Sequence, residues 1–232
     1  MNQLDTNWTL ISNDLTPNGF RFAGISAGLK HSKKRDLALI LAPQGSIFSG
    51  KFTQSIVRAS CIDICEQRIK RSSGLIRAIL INSGHANACT GDRGMHDSLI
   101  ATKELSKLLG INENQILICS TGVIGIPIPI EKLLKGLPKL VDELDEKNLS
   151  YASEAILTTD LVQKKVAIET YLDGKKVCIA GFAKGSGMIC PDMATMLAFL
   201  TCNVGIDKKT WDEIIEEAVK FSFNTITVDG ET

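Results

Sequence analysis

Lys184-Gly-Ser-Gly-Met-Ile-Cys-Pro-Asp-Met-Ala-Thr195-Met-Leu-Ala-Phe-Leu200 is the stretch around which the chain is organised. A glycine-interrupted loop stops at Pro191, and the small-residue step from Ala194 to Thr195 leads into the apolar run Met196 to Leu200. Short, apolar and bounded by turn formers, that run predicts a buried strand with Thr195 at its first position. A threonine so placed has two readings. β-Branched residues favour pleated surfaces, which makes Thr195 a strand residue and nothing more. Alternatively, its Oγ attacks the carbonyl of Ala194, and hydrolysis of the resulting ester leaves Thr195 as a new N-terminus whose free amine is its own base. A free α-amine titrates near about 7.7–8.0, which suits a general base at neutral pH. The segment Lys184-Gly-Ser-Gly187 lacks the glycine and lysine spacing of a phosphate-cradling loop.

Working outward from this stretch, Lys164 to Leu172 and Lys175 to Phe182 predict a hairpin across the turn Asp173-Gly174, which delivers the chain to Lys184. Three further runs predict buried strands: Asp36 to Ala42, Leu75 to Ile81, and Gln115 to Cys119. After the turn at Pro43, Ser46 to Thr53 is expected to pair with the first of them. The polar segment Asn82-Ser-Gly-His-Ala-Asn-Ala-Cys-Thr-Gly91 reads as a loop, either an α/β site loop or the entry to the helix that follows. Asp92 to Leu109 is an amphipathic helix with Met95, Leu99, Leu105, Leu108 and Leu109 expected on its inner side, ended by Gly110. Ser120-Thr-Gly-Val-Ile-Gly125 reads as a small-residue turn. A helix from about Ile130 is expected to break near Gly136 and Pro138, and Thr210 to cap one from Trp211 to Phe223.

The central stretch resembles the autoprocessing site of the ornithine acetyltransferase family, the glutamate N-acetyltransferases of arginine biosynthesis, whose pattern is Lys-Gly-x-Gly-Met-x-x-Pro-x-Met-Ala-Thr-Met-Leu. Asn82-Ser-Gly-x-Ala-Asn-Ala-Cys-Thr-Gly91, Ser120-Thr-Gly-x-Ile-Gly125 and Thr158-Thr-Asp160 extend the likeness over almost the whole chain from Gly19 onward. His85 and Ser55 depart from it, both standing where the family has asparagine. The resemblance implies an α/β fold: a layered sandwich of helices on mixed sheets, N-terminal-nucleophile-like. It implies cleavage between Ala194 and Thr195, with residues 1–194 as the α-chain region and 195–232 as the start of a β-chain region that stops short of the family's length. It implies Thr195 as nucleophile, Thr121 and Gly122 as the oxyanion hole, and Thr158, Lys184 and Thr195 as substrate contacts.

The implied reaction moves an acetyl group from N2-acetylornithine to glutamate through an acetyl-threonine. It needs no cofactor or metal, although acetyl-CoA is a conceivable co-substrate. The two chains would remain together as an α/β hetero-oligomer, a heterotetramer in longer relatives, and the second chain would supply a glutamate and C-terminal residues to the site. Three other readings stay open: a sister acyltransferase of secondary metabolism sharing these motifs, a self-processed threonine hydrolase or aminopeptidase, and a truncated, non-catalytic domain of the family.

Composition fits this and narrows the alternatives. Lys+Arg and Asp+Glu balance at 26 each over 232 residues, so no overall field draws the chain to nucleic acid or an acidic membrane. No apolar run has the length of a membrane-spanning helix, and the expected compartment is the cytoplasm. The seven scattered cysteines read as reduced thiols, not a disulfide framework. The basic cluster from Lys30 to Arg35 reads as a solvated loop.

Overall fold

The computed structural model describes residues 7–12, 14–192 and 195–231. Two four-stranded sheets face each other. The first runs β2 (Arg21–Ile25), β3 (Leu37–Leu41), β4 (Ala78–His85), β5 (Ile116–Val123), antiparallel except for the parallel β4–β5 pair. The second is antiparallel, in the order β1 (Thr9–Leu10), β6 (Lys164–Leu172), β7 (Lys175–Lys184), β8 (Leu197–Cys202). The expected hairpin turn lies at Asp173 and Gly174, both at positive φ. With its helices the chain forms the layered α/β sandwich that the resemblance implied, although only the first of its two sheets is mixed.

β3 explains the layering. Leu37, Leu39 and Leu41 point into one core with Ile64 of α1 (Ser60–Arg71), Leu105 of α2 (Gly91–Leu109) and Leu137 of α3 (Ile130–Asp142). Ala38 and Ile40 point the other way, into a second core with Ala152 of α4 (Leu149–Ala155) and Phe182 of β7. The period-2 alternation of a strand thus feeds two cores, and a strand covered on both faces reads as a continuous apolar run. Each fully buried Leu or Ile contributes roughly 1.5–3 kcal/mol. The edge of Phe22 meets Phe182, with ring centroids 6.4 Å apart, and joins the sheets directly.

Several expectations are corrected. Ser46 to Thr53 does not pair with β3, whose two edges are taken by β2 and β4; only Ile47 bridges, to Leu75. Phe48 and Phe52 instead pack on Cys65, Ile76 and Leu117. The helix α3 continues through Gly136 and Pro138; a side chain at Gly136 would press on Ala27 at 3.0 Å, and the bare backbone lets the helix lie close to β2 and β3. In α2 the side facing the core is partly polar: Asp97, Ser98 and Thr102 are buried, while Leu99 and Leu108, expected inside, are exposed. Asp207, not Thr210, caps α5 (Lys208–Lys220), its carboxylate accepting from Thr210 N at 3.0 Å. All seven cysteines are free.

Candidate active site

Segments that read as loops turn out to be strand. Asn82 to His85 extends β4, and Ser120 to Val123 extends β5, in parallel register with Ser83 opposite Thr121 and Gly84 opposite Gly122. Small residues are required there. A Cβ on Gly122 would lie 2.3 Å from the Gly84 carbonyl carbon and 2.6 Å from His85 N, and Gly122 has φ +134°. Buried Asn82 stitches this end together: its Nδ2 donates to the His85 carbonyl at 2.9 Å, and its Oδ1 accepts from Ser120 Oγ at 2.6 Å. The asparagine-rich segment therefore braces the strand ends. Asn87, farther along, does the same for the start of α2, its Nδ2 donating to Ser98 Oγ at 2.8 Å. His85 is half-buried, and burial pushes its pKa below the ordinary value. Ser55 is exposed, its Oγ donating to the Val57 carbonyl at 2.9 Å.

Lys184, the last residue of β7, is only 3 % exposed. Its Nζ donates to Thr121 Oγ1 and to the Thr195 carbonyl, each at 3.2 Å. One buried ammonium thus joins the end of β5, the end of β7 and the approach to β8. Burial lowers the Lys184 pKa from the usual lysine value; the charge of Asp160 opposes that, and the charge of Lys164 adds to it.

Thr195 is not the first residue of a strand. β8 begins at Leu197, and Thr195 sits in a bend at φ +62°, half-buried. Positive φ is a genuine outlier for a β-branched residue. Ala194, the other side of the expected cleavage bond, lies outside the described residues. Thr195, Thr121, Gly122 and Ser120 share the wall of a cavity of about 880 Å³ that reaches across β5 to Phe199 of β8. That volume falls within the range of small-molecule sites, roughly 300–1,000 Å³. The Thr195 side chain is therefore not sealed in the core.

Thr158 and Lys184 lie outside that wall. Thr158 is half-buried in the turn after α4 and is brought near Lys184 indirectly: Asp160 Oδ1 accepts from Gly185 N at 2.8 Å, and Thr159 Oγ1 and Ser186 Oγ are 2.6 Å apart. From the other side, Lys30 Nζ donates to the Leu157 carbonyl at 2.6 Å and to the Arg35 carbonyl at 2.9 Å. Buried Asp36 shapes the loop that carries Lys30, accepting from the backbone N–H groups of Ala27 and Leu29 at 2.6 Å. The basic cluster is thus structural at both ends, since Arg35 pairs with Glu154 at 3.1 Å and stacks over Tyr151. Sequence reading missed Asp160, Lys30 and Asn82. Asp160 had a signal, being an acid beside two threonines in a quoted motif. Among the described residues no group of three or more His, Cys, Asp or Glu side chains is placed to hold a metal ion, and no helix is long and apolar enough to cross a membrane.

Comparison with known proteins gives a consistent picture. Residues 21–232 match the sequence profile of the ArgJ family. The arginine biosynthesis bifunctional protein ArgJ of Prochlorococcus marinus (strain MED4) is 71% identical over 216 residues, 93% of this chain and 54% of the relative. That of Synechocystis is 46% identical over 227 residues, 97% of this chain and 55% of the relative. The chain thus spans about half the length of the curated relatives it matches. Among solved structures, the Bacillus halodurans protein of the same description superposes with a TM-score of 0.76 at 32% identity, over 83% of this chain and 100% of that one. Ornithine acetyltransferase of Mycobacterium tuberculosis, solved with ornithine, gives 0.74 at 34% identity, over 82% and 100%.

Proposed function

This chain belongs to the ArgJ family, and from that premise we propose that it transfers an acetyl group from N2-acetylornithine to glutamate, using Thr195 freed by self-cleavage after Ala194. The observation that carries the reading is the single buried ammonium of Lys184 holding both Thr121 and Thr195 at the edge of a cavity large enough for an amino acid.

Each assigned role has a physical ground. In self-cleavage, Thr195 Oγ attacks the Ala194 carbonyl, the acyl group moves from nitrogen to oxygen, and water releases it, leaving an amine on Thr195. Left-handed backbone at a non-glycine residue costs about 1–3 kcal/mol. That strain in Thr195 vanishes once no residue precedes it, which favours cleavage. The new amine then takes the Thr195 hydroxyl proton as Oγ attacks the acetyl carbonyl of N2-acetylornithine, and passes it to the departing ornithine nitrogen. The acetyl group rests on Thr195 as an ester until the amine of glutamate attacks it, and a proton returns to Oγ.

Charge develops on the acetyl oxygen in both halves of the reaction, and Thr121 and Gly122 receive it. A hydroxyl that accepts from Lys184 keeps its own proton to donate. Removing one such donor costs about 2.7–4 kcal/mol of transition-state stabilisation. An ammonium has three donors, and Lys184 spends two of them at 3.2 Å, so the third is assigned to the substrate carboxylate, with Thr158 completing that contact. The chemistry calls for no cofactor or metal. Acetyl-CoA, an acyl thioester, is an alternative donor to the same oxygen. After cleavage, residues 1–194 and 195–232 stay together as parts of a cytoplasmic α/β hetero-oligomer.

The coverage of relatives supports cleavage independently. The solved Bacillus and Mycobacterium chains are matched over 100% of their length, although the curated relatives are matched over only about half. The matched share of this chain, 83% and 82%, is close to what precedes Thr195. Relatives that exist as two chains divided near this point would give that pattern.

Intact-mass analysis of the purified protein, together with N-acetylglutamate formation from N2-acetylornithine and glutamate, tests the proposal. Fragments ending at Ala194 and starting at Thr195 are expected, and Thr195→Ala should abolish both cleavage and transfer. An uncut, active wild type would overturn the mechanism. Free acetate without N-acetylglutamate would mean a threonine hydrolase instead.

A further inference from the structure

We propose that Asp160 is a positioning residue that fixes Lys184 in the site by tying the turn after α4 to the end of β7. The proposal rests on the reading of Lys184 as the group that receives the substrate carboxylate, and it adds a residue to which neither the motif nor the relatives assign a role.

The geometry has three parts. Asp160 Oδ1 accepts from Gly185 N at 2.8 Å, which pins the backbone immediately after Lys184. The same oxygen accepts from Lys164 Nζ at 2.5 Å, at the first residue of β6, where Lys164 pairs with Ala183. The contact of Thr159 with Ser186 closes the same two segments one step farther along. Thr158 and Lys184, assigned to the same substrate contact, are therefore held in register through their neighbours.

Electrostatics gives Asp160 a second role. Its side chain is fully buried, and Oδ2 has no hydrogen-bond partner among the described residues. An unsatisfied buried carboxylate oxygen is costly. Burial works to raise the Asp160 pKa, but the hydrogen bonds from Lys164 and Gly185 and the charges of Lys164 and Lys184 outweigh it, leaving the carboxyl below its usual value. The ionised carboxylate in turn opposes the desolvation that drives Lys184 toward neutrality, while Lys164 works the other way. Among the described residues, these two are the charged groups that face Lys184. Thr121, its contact on β5, carries no charge.

Opposite signs at Asp160 and Lys164 make the test decisive. In protein labelled at lysine Cε with carbon-13, Asp160→Asn should move the Lys184 titration to lower pH, and Lys164→Met should move it to higher pH. In the transfer assay, Asp160→Asn should raise KM on the order of tenfold, as for loss of a hydrogen bond to a charged group. It should leave kcat less affected, and shift the alkaline limb of kcat/KM to lower pH. An unchanged Lys184 titration in both variants would overturn the proposal, and so would an unchanged KM in Asp160→Asn. If Asp160→Asn does not fold, Asp160→Ser, which keeps an acceptor for Gly185 N but carries no charge, takes its place in both measurements with the same outcomes expected. The titration needs no turnover. A wild type without transferase activity would thus refute the proposed reaction and leave the Asp160–Lys184 coupling to be judged separately.

Discussion

Gly122→Ala is the most informative perturbation, because its cost follows from coordinates at the proposed oxyanion site. The new Cβ would lie 2.3 Å from the Gly84 carbonyl carbon, 2.6 Å from its oxygen and 2.6 Å from His85 N, all backbone atoms that no rotamer change can move aside. Glycine φ is +134° here, so alanine is also strained where it stands. Backbone strain of this kind costs about 1–3 kcal/mol and overpacking about 1–3 kcal/mol more, for a total near 4 kcal/mol. For a chain of this size that corresponds to a fall in Tm of roughly 8–16 °C. Gly125→Ala is the control, since its φ is +79° but nothing lies within 4 Å of the new atom. It should cost only the left-handed penalty, roughly 1–2 kcal/mol. Thermal unfolding followed by circular dichroism, together with the transfer assay, compares the two. Equal losses at Gly122 and Gly125 would show that β4 and β5 do not meet backbone to backbone, and the argument for a preorganised Thr121 would fail with it.

Lys184→Ala should chiefly weaken substrate binding, raising KM about ten- to a hundredfold, as expected when a charge-assisted hydrogen bond is lost; an unchanged KM would remove Lys184 from the site. Lys30 carries a pH prediction. Burial pulls its pKa down to about 8, against the opposing charge of Asp36. Between pH 8 and the ordinary lysine range near about 10.4 the unfolded chain holds a proton that the folded chain has released, so stability should rise with pH across that window. Urea midpoints measured from pH 7 to 10.5 should show the rise in wild type and a flatter profile in Lys30→Met, and parallel profiles would argue that Lys30 is solvated.

Much of the frame was legible in the sequence because it is written in periodicity. Leu37 to Leu41, the Asp173-Gly174 hairpin and the helix ending at Gly110 all appear where pattern and turn chemistry put them. The errors share a cause: tertiary packing overrode local composition. Asn82 to His85 and Ser120 to Val123 look like loops since their residues are small and polar, yet smallness is what lets two strands pair at Gly84 and Gly122. Phe48 and Phe52 look like strand residues and serve as packing instead. The site was visible only through motif likeness. Thr121 is far along the chain from Lys184 and Thr195, and no spacing rule announces that one ammonium will hold both threonines. Asp160 escaped notice because its importance lies in bonds to Gly185 and Lys164, which sequence order does not reveal.

The two-sidedness of β3 has a further consequence for how the molecule comes apart. Its leucines belong to the helical layer, and Ala38 and Ile40 belong to the layer that carries Lys184. Peeling away either layer would wet the same five residues, so neither layer has a melting event of its own to undergo. Hydrogen exchange should find the amides of β3 opening only with the whole, and a substitution deep among the helices should loosen the side that carries Lys184 as much as its own.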